Sequence, residues 1–520
     1  MTSARIAGAA ALITVLTIVA RLAGFVRTLI FFYTVGEGGD GNLPDVYASA
    51  NTVPNIVFEL VAGGALASLV VPLLAAAISA GDRERVSAIT SALLTWMLVL
   101  TVPLAVVVAL AAGPITGMFG GISPEHQDVA ARMLRWFAPQ LPLYGIAVVL
   151  TGALQAHRRF AWPVIAPLLS SVTVMTAYLT YAGVDGARTG FPGLSTTGEL
   201  ILAVGTTLGV VVLAFCLFIP LRSLRLRLRP TLRFPGDEGR QAIRLGWAGA
   251  VTVGAQQILV GLILLLAARQ MGPYTGAQTV FLLPWAVLAV PLATAAYPRL
   301  AEAFVRGDEP GFASTLAGAA RSIVLLAGLG AAALGGLAGP ATLLMGAPSA
   351  AAAVVGFAPG LLGYALFALL SRALYARGAT VAAAVASLVG WLCAGLAVVV
   401  VTATSTGAAR LFGLGLANAI GMTVIGVLLV LAVRRHAGPE ALAGLGRAVP
   451  AAVVAGTLAG LAGWGTVGGL EAAFWPTPGV LGGLVEGMLG GVVVAAVFAA
   501  VAFALDRRDL GPLVAKLGRR

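Results

Sequence analysis

Two arginines interrupt a long apolar run near the N-terminus of the sequence. Arg21 and Arg27 lie six positions apart, which is about 120° around an ideal helix. Guanidinium groups stay charged and offer paired donors that fit phosphate or pyrophosphate oxygens. We therefore predict that both side chains bind an anion, with Gly24 between them as a hinge. Two alternatives stay open, namely a structural pair between Arg21 and Glu59 and an interfacial position for Arg27.

Four further polar residues lie within apolar runs and are candidates for the same site. Arg132 and Arg135 share one helix face at a spacing of three, so they predict either a second anion site or an interfacial anchor. Glu59 is a candidate for a coupling-ion site or for an ion pair. A carboxylate in apolar surroundings is costly, so it is expected to serve a function or to have a counter-charge. Gln256 is a candidate to hydrogen-bond a sugar or a neighbouring helix.

The sequence offers little for enzymatic or metal chemistry. Its two cysteines, Cys216 and Cys393, both lie in apolar runs and in different halves of the chain, so we predict neither a disulfide nor a metal site. The sequence lacks a Walker-type phosphate-binding motif, a zinc-ligand cluster and a nucleophile triad. We therefore expect a protein that is not an enzyme and needs no cofactor.

The elements that must position these residues are membrane-spanning helices. Apolar residues make up 59% of the 520 residues and charged residues only 10%, and the mean hydropathy is +0.98. These values lie outside the range of water-soluble folds. The net charge of +12 does not predict nucleic-acid binding, because the basic residues lie mostly in short loops between apolar runs.

The apolar runs predict an all-α polytopic protein with about fourteen transmembrane helices. They lie near 6–34, 50–79, 88–113, 129–154, 162–182, 199–221, 243–268, 275–298, 314–338, 351–371, 379–402, 411–433, 449–466 and 480–504. With this assignment, the loops on one side of the membrane hold most of the 32 basic residues, and the other side holds only Arg188, Arg269 and Arg410. Because basic loops stay in the cytoplasm, we predict that both termini are cytoplasmic.

The sequence contains an internal repeat. A shift of 226 positions places Val71-Pro72 on Tyr297-Pro298 and Gly81-Asp82 on Gly307-Asp308. A shift of 220 places the sequence FAP of 137–139 on the same three letters at 357–359. The abundance of Ala, Gly and Pro makes some coincidence expected, but matches in a constant register favour a true repeat.

The repeat predicts two six-helix lobes with parallel topology, related by an axis along the membrane normal. We expect an N-terminal lobe at 1–222, a basic cytoplasmic linker at 223–242, a second lobe at 243–435 and two extra helices with a tail at 436–520. Such an arrangement is typical of alternating-access transporters, whose substrate site lies between the lobes.

The first two helices carry a family resemblance. Residues 21–27 (RLAGFVR), Asp45 and residues 53–55 (VPN), followed by residues 160–167 (FAWPVIAP), resemble the MurJ (MviN) lipid II flippases of the multidrug/oligosaccharidyl-lipid/polysaccharide exporter superfamily. The resemblance implies a bacterial inner-membrane protein that moves an undecaprenyl-pyrophosphate-linked peptidoglycan precursor to the outer leaflet. It also implies that Asp45 gates the outer mouth, although a solvated loop position is an equal alternative.

The sequence departs from the family pattern at several positions. Phe58 and Glu59 stand where many relatives have two arginines, Gly63 stands where an acidic residue is usual, and Thr279 stands near an expected arginine. An Asp-x-x-x-Pro pattern is missing at 379–383. These differences leave two alternatives, an exporter of another polyprenyl-linked saccharide or amphiphile, and a non-transporting scaffold. Membrane lipids and proteins of cell-wall synthesis and division are the expected partners.

Overall fold

The computed structural model is helical throughout the part of the chain that it describes. The backbone is described for residues 3–60, 70–236, 238–474, 476 and 478–506, and the side chains of 3–15, 17–18, 71–72, 76, 238 and 240–252 are not described. These ranges contain α-helices, short 3₁₀-helices and π-helical turns but no strand. The predicted all-α class is therefore confirmed.

The chain forms two compact units, Met1–Gly272 and Pro273–Arg520. The helices of the first unit are α1 (Ser3–Thr34), α2 (Leu43–Phe58), α3 (Val70–Ser79), α4 (Arg83–Leu110), α5 (Ala112–Gly117), α6 (Pro124–Phe137), α7 (Gln140–Ala156), α8 (Ala161–Asp185), α9 (Thr196–Phe215), α10 (Phe218–Arg222) and α11 (Glu238–Ala267). Helix α12 (Met271–Pro284) begins at the boundary. The second unit continues with α13 (Val290–Val305), α14 (Glu309–Gly336), α15 (Ala338–Leu344), α16 (Ala351–Phe357), α17 (Gly360–Ala376), α18 (Thr380–Thr404), α19 (Gly407–Ala437), α20 (Leu445–Ala473) and α21 (Val480–Leu505). The predicted lobe limits stay a prediction.

Within the described ranges, ten helical segments are long and apolar enough to cross a membrane, or eleven if a bent pair counts as one span. One of them, Val253–Val305, has 53 residues, which is roughly 80 Å of ideal helix against about 30 Å of hydrocarbon. The sequence predicts two spans there, and a 3₁₀ turn at Ala268–Gln270 separates them. The multi-span architecture is confirmed. The count of fourteen is not, and residues 61–69 of the predicted second span, including Gly63, lie outside the described residues.

The internal repeat reappears in the lengths and ends of the helices. Helices α4 and α14 both have 28 residues, α7 and α17 both have 17, and α8 and α18 both have 25. Asp82 and Asp308 each accept a hydrogen bond from the backbone N–H three residues on, at 2.9 and 2.8 Å. The preceding Gly81 and Gly307 have φ of 69° and 70°, which a residue without a side chain adopts most easily. Equivalent caps therefore start equivalent helices.

A proline breaks the same span in both repeats. Helix α6 ends at Phe137 before Pro139, and α16 ends at Phe357 before Pro359. Proline lacks the N–H that would continue the hydrogen-bond pattern of the helix. The break bends the second copy by 59°. The FAP match in the sequence thus marks a shared structural break.

Small residues bring helices together in the second unit. A side chain at Gly336 of α14 would place its Cβ 2.6 Å from the carbonyl oxygen of Gly460 in α20, so only glycine permits this approach. The neighbouring core contains the buried side chains of Ala459, Val494 and Phe498. Close packing through glycine and alanine is usual between helices in a membrane, where burial of apolar surface gives no driving force.

Candidate functional site

A chain of polar side chains crosses the first unit. The hydroxyl of Tyr144 on α7 donates to Oδ1 of Asn55 on α2 at 3.1 Å, and it lies 3.5 Å from Oε1 of Gln140. Gln140 is fully buried and donates from Nε2 to the hydroxyl of Thr207 on α9 at 3.1 Å. Buried polar groups persist in apolar surroundings when their hydrogen bonds are satisfied. The chain therefore fixes α2, α7 and α9 and presents Tyr144 and Asn55 at one place.

Two charged side chains lie beside this polar chain. Arg27 on α1 and Glu59 after α2 are both close enough to interact electrostatically with the hydroxyl of Tyr144. Arg27 is half-buried and Glu59 is exposed. The ring of Phe58 packs on Tyr144 with 4.3 Å between centroids. Arg27 and Glu59, two of the sequence-predicted residues, thus lie within electrostatic range of a tyrosine that the sequence analysis did not select.

Glu59 follows α2 in a π-helical turn at residues 59–60. The second repeat has a π-helical turn at Trp285–Ala289, which begins 226 positions later, in the register of the repeat. Prolines at 54 and 284 precede the two turns, and a proline removes one hydrogen bond of a regular helix. Such turns are frequent at functional sites because they redirect side chains.

The structure shows neither a bend at Gly24 nor a binding partner for Arg21 among the residues that it describes. Helix α1 runs through Gly24 without a break, and a side chain at that position would meet nothing within 4 Å. Arg21 is exposed. Among the described residues, no ion pair joins Arg21 to Glu59. The hinge at Gly24 and the anion-binding role of Arg21 stay predictions.

Asp45 is buried at the start of α2 and holds a glycine-rich loop. Its Oδ2 accepts from the N–H groups of Gly39 at 2.6 Å and Gly41 at 3.2 Å, and its Oδ1 accepts from Gly272 N–H at 2.8 Å. Gly36, Gly38, Gly39 and Gly41 all have φ between 79° and 119°, which only glycine adopts easily. One carboxylate thus links the loop after α1 to the first turn of α12. We call this arrangement the Asp45 latch.

Burial raises the pKa of the Asp45 carboxyl from its ordinary value of 3.8 to about 7, although its backbone N–H donors favour the charged form. Asp45 lies ahead of the span predicted at 50–79. Loss of solvent disfavours a charge more strongly than three hydrogen bonds stabilise it here. The Asp45 latch therefore changes its charge near neutral pH.

Neighbouring loops complete this end of the first unit. The Nδ1 atom of His126 lies 3.2 Å from the carbonyl oxygen of Gly41, and its ring stacks on Phe191 at 3.6 Å. The backbone N–H of Arg269 donates to Gly120 O, and its carbonyl oxygen accepts from Gly41 N–H. Four loops thus meet around the Asp45 latch.

Arg132 and Arg135 lie on α6 with different partners. Arg132 donates from Nε and from Nη2 to the two carboxylate oxygens of Glu199 on α9, both at 2.8 Å. This bidentate pair is strong and directional, and it occupies the guanidinium group. Arg135 is exposed in the last turn of α6, where a positive charge suits the helix dipole. This geometry favours a structural role for Arg132, while an anion site at Arg135 stays a prediction.

Gln256 is half-buried on α11, beside the buried Gln257. The structure shows no partner that assigns Gln256 to the polar chain, so its sugar-binding role stays a prediction. Two residues of the polar chain, Gln140 and Tyr144, were not selected from the sequence, although their spacing could have indicated them. Gln140 and Tyr144 are four positions apart in an apolar helix, which places their polar groups on one face.

The family profile described as lipid II flippase MurJ matches residues 39–478. The chain belongs to this family. The matched range contains Asp45, Asn55 and Tyr144, whereas Arg21 and Arg27 precede it. The predicted family resemblance is confirmed.

Similar proteins agree with this assignment. A probable lipid II flippase MurJ of Synechocystis sp. (strain ATCC 27184 / PCC 6803 / Kazusa) is 28% identical over 240 residues, covering 45% of this chain and 44% of the relative. One of Rhizobium meliloti (strain 1021) is 25% identical over 307 residues, covering 56% and 54%. The chain thus aligns with about half the length of these relatives. A solved structure of lipid II flippase MurJ in an inward closed conformation has a TM-score of 0.73 at 16% identity and covers 95% of this chain and 99% of that one, which shows a shared fold.

Proposed function

We propose that this chain is a flippase that moves lipid II from the inner to the outer leaflet of the bacterial plasma membrane by alternating access. Family membership supports this class of cargo, and the distribution of basic residues supports a cytoplasmic position for both termini. The observation that carries the proposal is the cluster of Arg27, Asn55 and Tyr144 inside a unit built of apolar helices.

The cluster suits a pyrophosphate-linked head group. Arg27 supplies a permanent charge with paired donors, and the hydroxyl of Tyr144 and the amide of Asn55 supply neutral hydrogen-bonding groups beside it. Hydrogen bonds to charged groups gain strength where water is scarce. Arg21 lies about 9 Å further along α1, so it would meet the other end of an extended head group. The polyprenyl tail stays in the lipid throughout.

The Asp45 latch belongs to the release step of this mechanism. Its three hydrogen bonds hold the glycine-rich loop and the start of α12 together. The head group leaves toward the outer leaflet once these bonds open. Asp45 thus acts as a gate residue that never needs to touch the pyrophosphate.

A second candidate is export of a different polyprenyl-linked saccharide. Phe58 packs on Tyr144, and Glu59 places a negative charge in the same neighbourhood. The charge of Glu59 reduces the positive potential that a pyrophosphate meets, so a head group with less negative charge or with an amine would fit better. The scaffold alternative rests on these same departures and would need no transport at all.

Complementation of a strain depleted of its lipid II flippase tests the proposal. The wild-type chain, Arg27→Ala, Arg27→Lys and the matched control Arg434→Ala, an exposed arginine at the end of α19, are expressed at equal levels, and surface-accessible lipid II is measured. We expect rescue by wild type and Arg434→Ala, partial rescue by Arg27→Lys and none by Arg27→Ala. Rescue by Arg27→Ala would show that Arg27 is not needed to bind the head group. Failure of the wild type despite correct membrane insertion would favour the second candidate.

A further inference from the structure

The chain turns at residues 223–225 after α10 and then lies along α4 as an extended segment. We call residues 222–234 the basic strap. Its backbone N–H groups donate to a row of hydroxyls on α4. The bonds are Arg227 N–H to Ser87 Oγ at 3.3 Å, Arg229 N–H to Ser91 Oγ at 3.0 Å and Thr231 N–H to Thr95 Oγ1 at 3.0 Å. Each step of two residues in the strap thus matches a step of four in the helix.

This register has a geometric cause. Four helical residues rise about 6.0 Å, and two residues of an extended chain advance roughly 6.6 Å. The two repeats are nearly commensurate over three bonds, so the strap runs parallel to α4 with alternate N–H groups satisfied by hydroxyls. A segment that would otherwise be a flexible loop is therefore ordered.

The leucine side chains of the strap face the protein and its arginine side chains are exposed. Leu224, Leu226 and Leu228 are half-buried and pack against the cores of the first unit. Arg227 and Arg229 are exposed between them, as expected for an extended chain whose side chains alternate between two faces. Arg225 is also exposed, but it lies in the turn before the extended part, with φ of 52°. Within the part of the chain that the structure describes, no ion pair involves these three arginines. The strap thus presents a row of positive charges on its outer face.

The length of α4 predicts that the beginning of the strap, beside Ser87, lies at the level of lipid head groups. Helix α4 has 28 residues, about 42 Å of helix, which exceeds a hydrocarbon core of about 30 Å by roughly eight residues. The excess lies at the arginine-rich end, which includes Ser87. Further along α4, Trp96 is 41% exposed and donates its indole N–H to Leu232 O at 3.0 Å, which holds the far end of the strap against the helix.

We propose that the outer face of the basic strap binds anionic phospholipid, with lipid phosphates held between Arg225, Arg227 and Arg229. A row of basic residues beside the end of a membrane helix is attracted to a negatively charged leaflet. Guanidinium groups bind phosphate through paired hydrogen bonds. The placement in the inner leaflet rests on the orientation proposed above, whereas the lipid selectivity does not. This site is separate from the cluster around Tyr144 and is an addition to transport.

The test measures lipid binding by the purified full-length chain in neutral detergent. Fluorescent phosphatidylglycerol and fluorescent phosphatidylcholine are titrated separately, and the ratio of their affinities is taken for wild type, R227Q/R229Q and the matched control R434Q/R435Q. Both double variants remove two exposed arginines, so they change the net charge equally. Unchanged thermal stability and a single size-exclusion peak verify the fold.

We expect wild type and R434Q/R435Q to prefer phosphatidylglycerol and R227Q/R229Q to lose about thirty-fold of that preference, which corresponds to about 2 kcal/mol. Equal loss in both double variants would show a general charge effect and overturn the proposal. Absence of any preference in wild type would overturn it as well. Displacement of the lipid by millimolar inorganic phosphate would identify an unspecific anion site instead. Lipid binding is measured without lipid II, so its failure is distinct from failure of transport.

Discussion

The two repeats share a plan of helices but differ in chemistry at matching positions. Tyr144 and Tyr364 correspond at a shift of 220, and Glu59 and Trp285 correspond at a shift of 226. In the second repeat Trp285 stacks on Tyr364 at 4.8 Å and donates its indole N–H to the backbone oxygen of Tyr364. In the first, Tyr144 bonds an amide and faces two charges. The tyrosine thus stacks on a tryptophan in the second unit, whereas in the first it packs on Phe58 and hydrogen-bonds to Asn55.

The segments that follow the repeats differ in a similar way. The serines that hold the basic strap correspond to Ala313 and Ala317 on α14, which are buried and offer no hydroxyl. Arg321 takes the place of Thr95 and donates to Ala443 O at 2.8 Å. Both units therefore fasten the segment after their last repeated helix, one through hydroxyls that accept and the other through a guanidinium that donates. The comparison shows that the repeat conserves packing positions rather than side-chain chemistry.

The largest effect is expected from removing the positive charge of Arg27 in the first unit. Arg27→Ala should weaken binding of a pyrophosphate-linked head group by on the order of a hundredfold, because it removes charge-assisted hydrogen bonds in apolar surroundings. Arg372→Ala removes a half-buried arginine of the second unit and should leave binding within a few-fold of wild type. The affinity of the purified variants for lipid II measures both. Similar losses in the two variants would contradict the assignment of anion binding to the first unit.

Asp45→Asn should destabilise the first unit by about 2–3 kcal/mol. The amide nitrogen cannot accept the N–H groups that one carboxylate oxygen accepts, so buried donors lose their partner. The matched change Asp40→Asn, at a side chain that is 87% exposed in the same loop, should cost less than about 0.5 kcal/mol. Denaturant unfolding and amide exchange at Gly39 and Gly272 measure the difference. Equal effects would show that the Asp45 latch does not hold the loop.

The Asp45 latch should also respond to pH. The closed state has a pKa of about 7 and a solvated carboxyl has 3.8, so the closed state binds the proton more tightly. The equilibrium constant for closing the latch should therefore rise as pH falls from 7 toward 4, by up to about tenfold per pH unit. Above pH 7 it should stay constant. Amide exchange of Gly272, corrected for its intrinsic pH dependence, measures this. Protection that rises with pH, or a pH response retained in Asp45→Asn, would exclude the mechanism.

The smallest effect is expected at the basic strap. Ser91→Ala removes the hydroxyl that accepts from Arg229 N–H and should weaken local protection by about 1 kcal/mol. Ser322→Ala removes an exposed hydroxyl of α14 that bonds only its own helix, so we expect no change at Ala443. Amide exchange at Arg229 reads the first variant. Unchanged exchange there would mean that the leucines alone hold the strap.

Short-range features of the fold were readable from the sequence. The sequence matched Gly81-Asp82 with Gly307-Asp308 as part of the repeat, and these pairs cap α4 and α14 in the structure, because a cap depends on residues three positions apart. The breaks at Pro139 and Pro359 were not predicted, since 129–154 and 351–371 were taken as continuous apolar spans. The number of spans was less certain, since α2 and the junction near Ala268 are interrupted by turns that hydropathy does not register.

The sequence predicted some residues of the site but not the residues that they contact. Arg27 and Glu59 stood out because charge is costly inside a membrane. The partner of Arg132 did not, since Glu199 is 67 positions away. The linker was predicted only as a basic cytoplasmic segment, because the serines of α4 that hold it are about 140 positions earlier.

Composition and the order of residues determined the membrane as solvent, the helical class, the repeat and the family, because these depend on local sums and short spacings. Tertiary structure alone decided which polar groups meet. Tyr144 reaches Asn55 across 89 positions, and Asp45 reaches Gly272 across 227. A hydrogen bond is made within about 3 Å, and only the packing of the helices brings residues so distant in the chain to that distance.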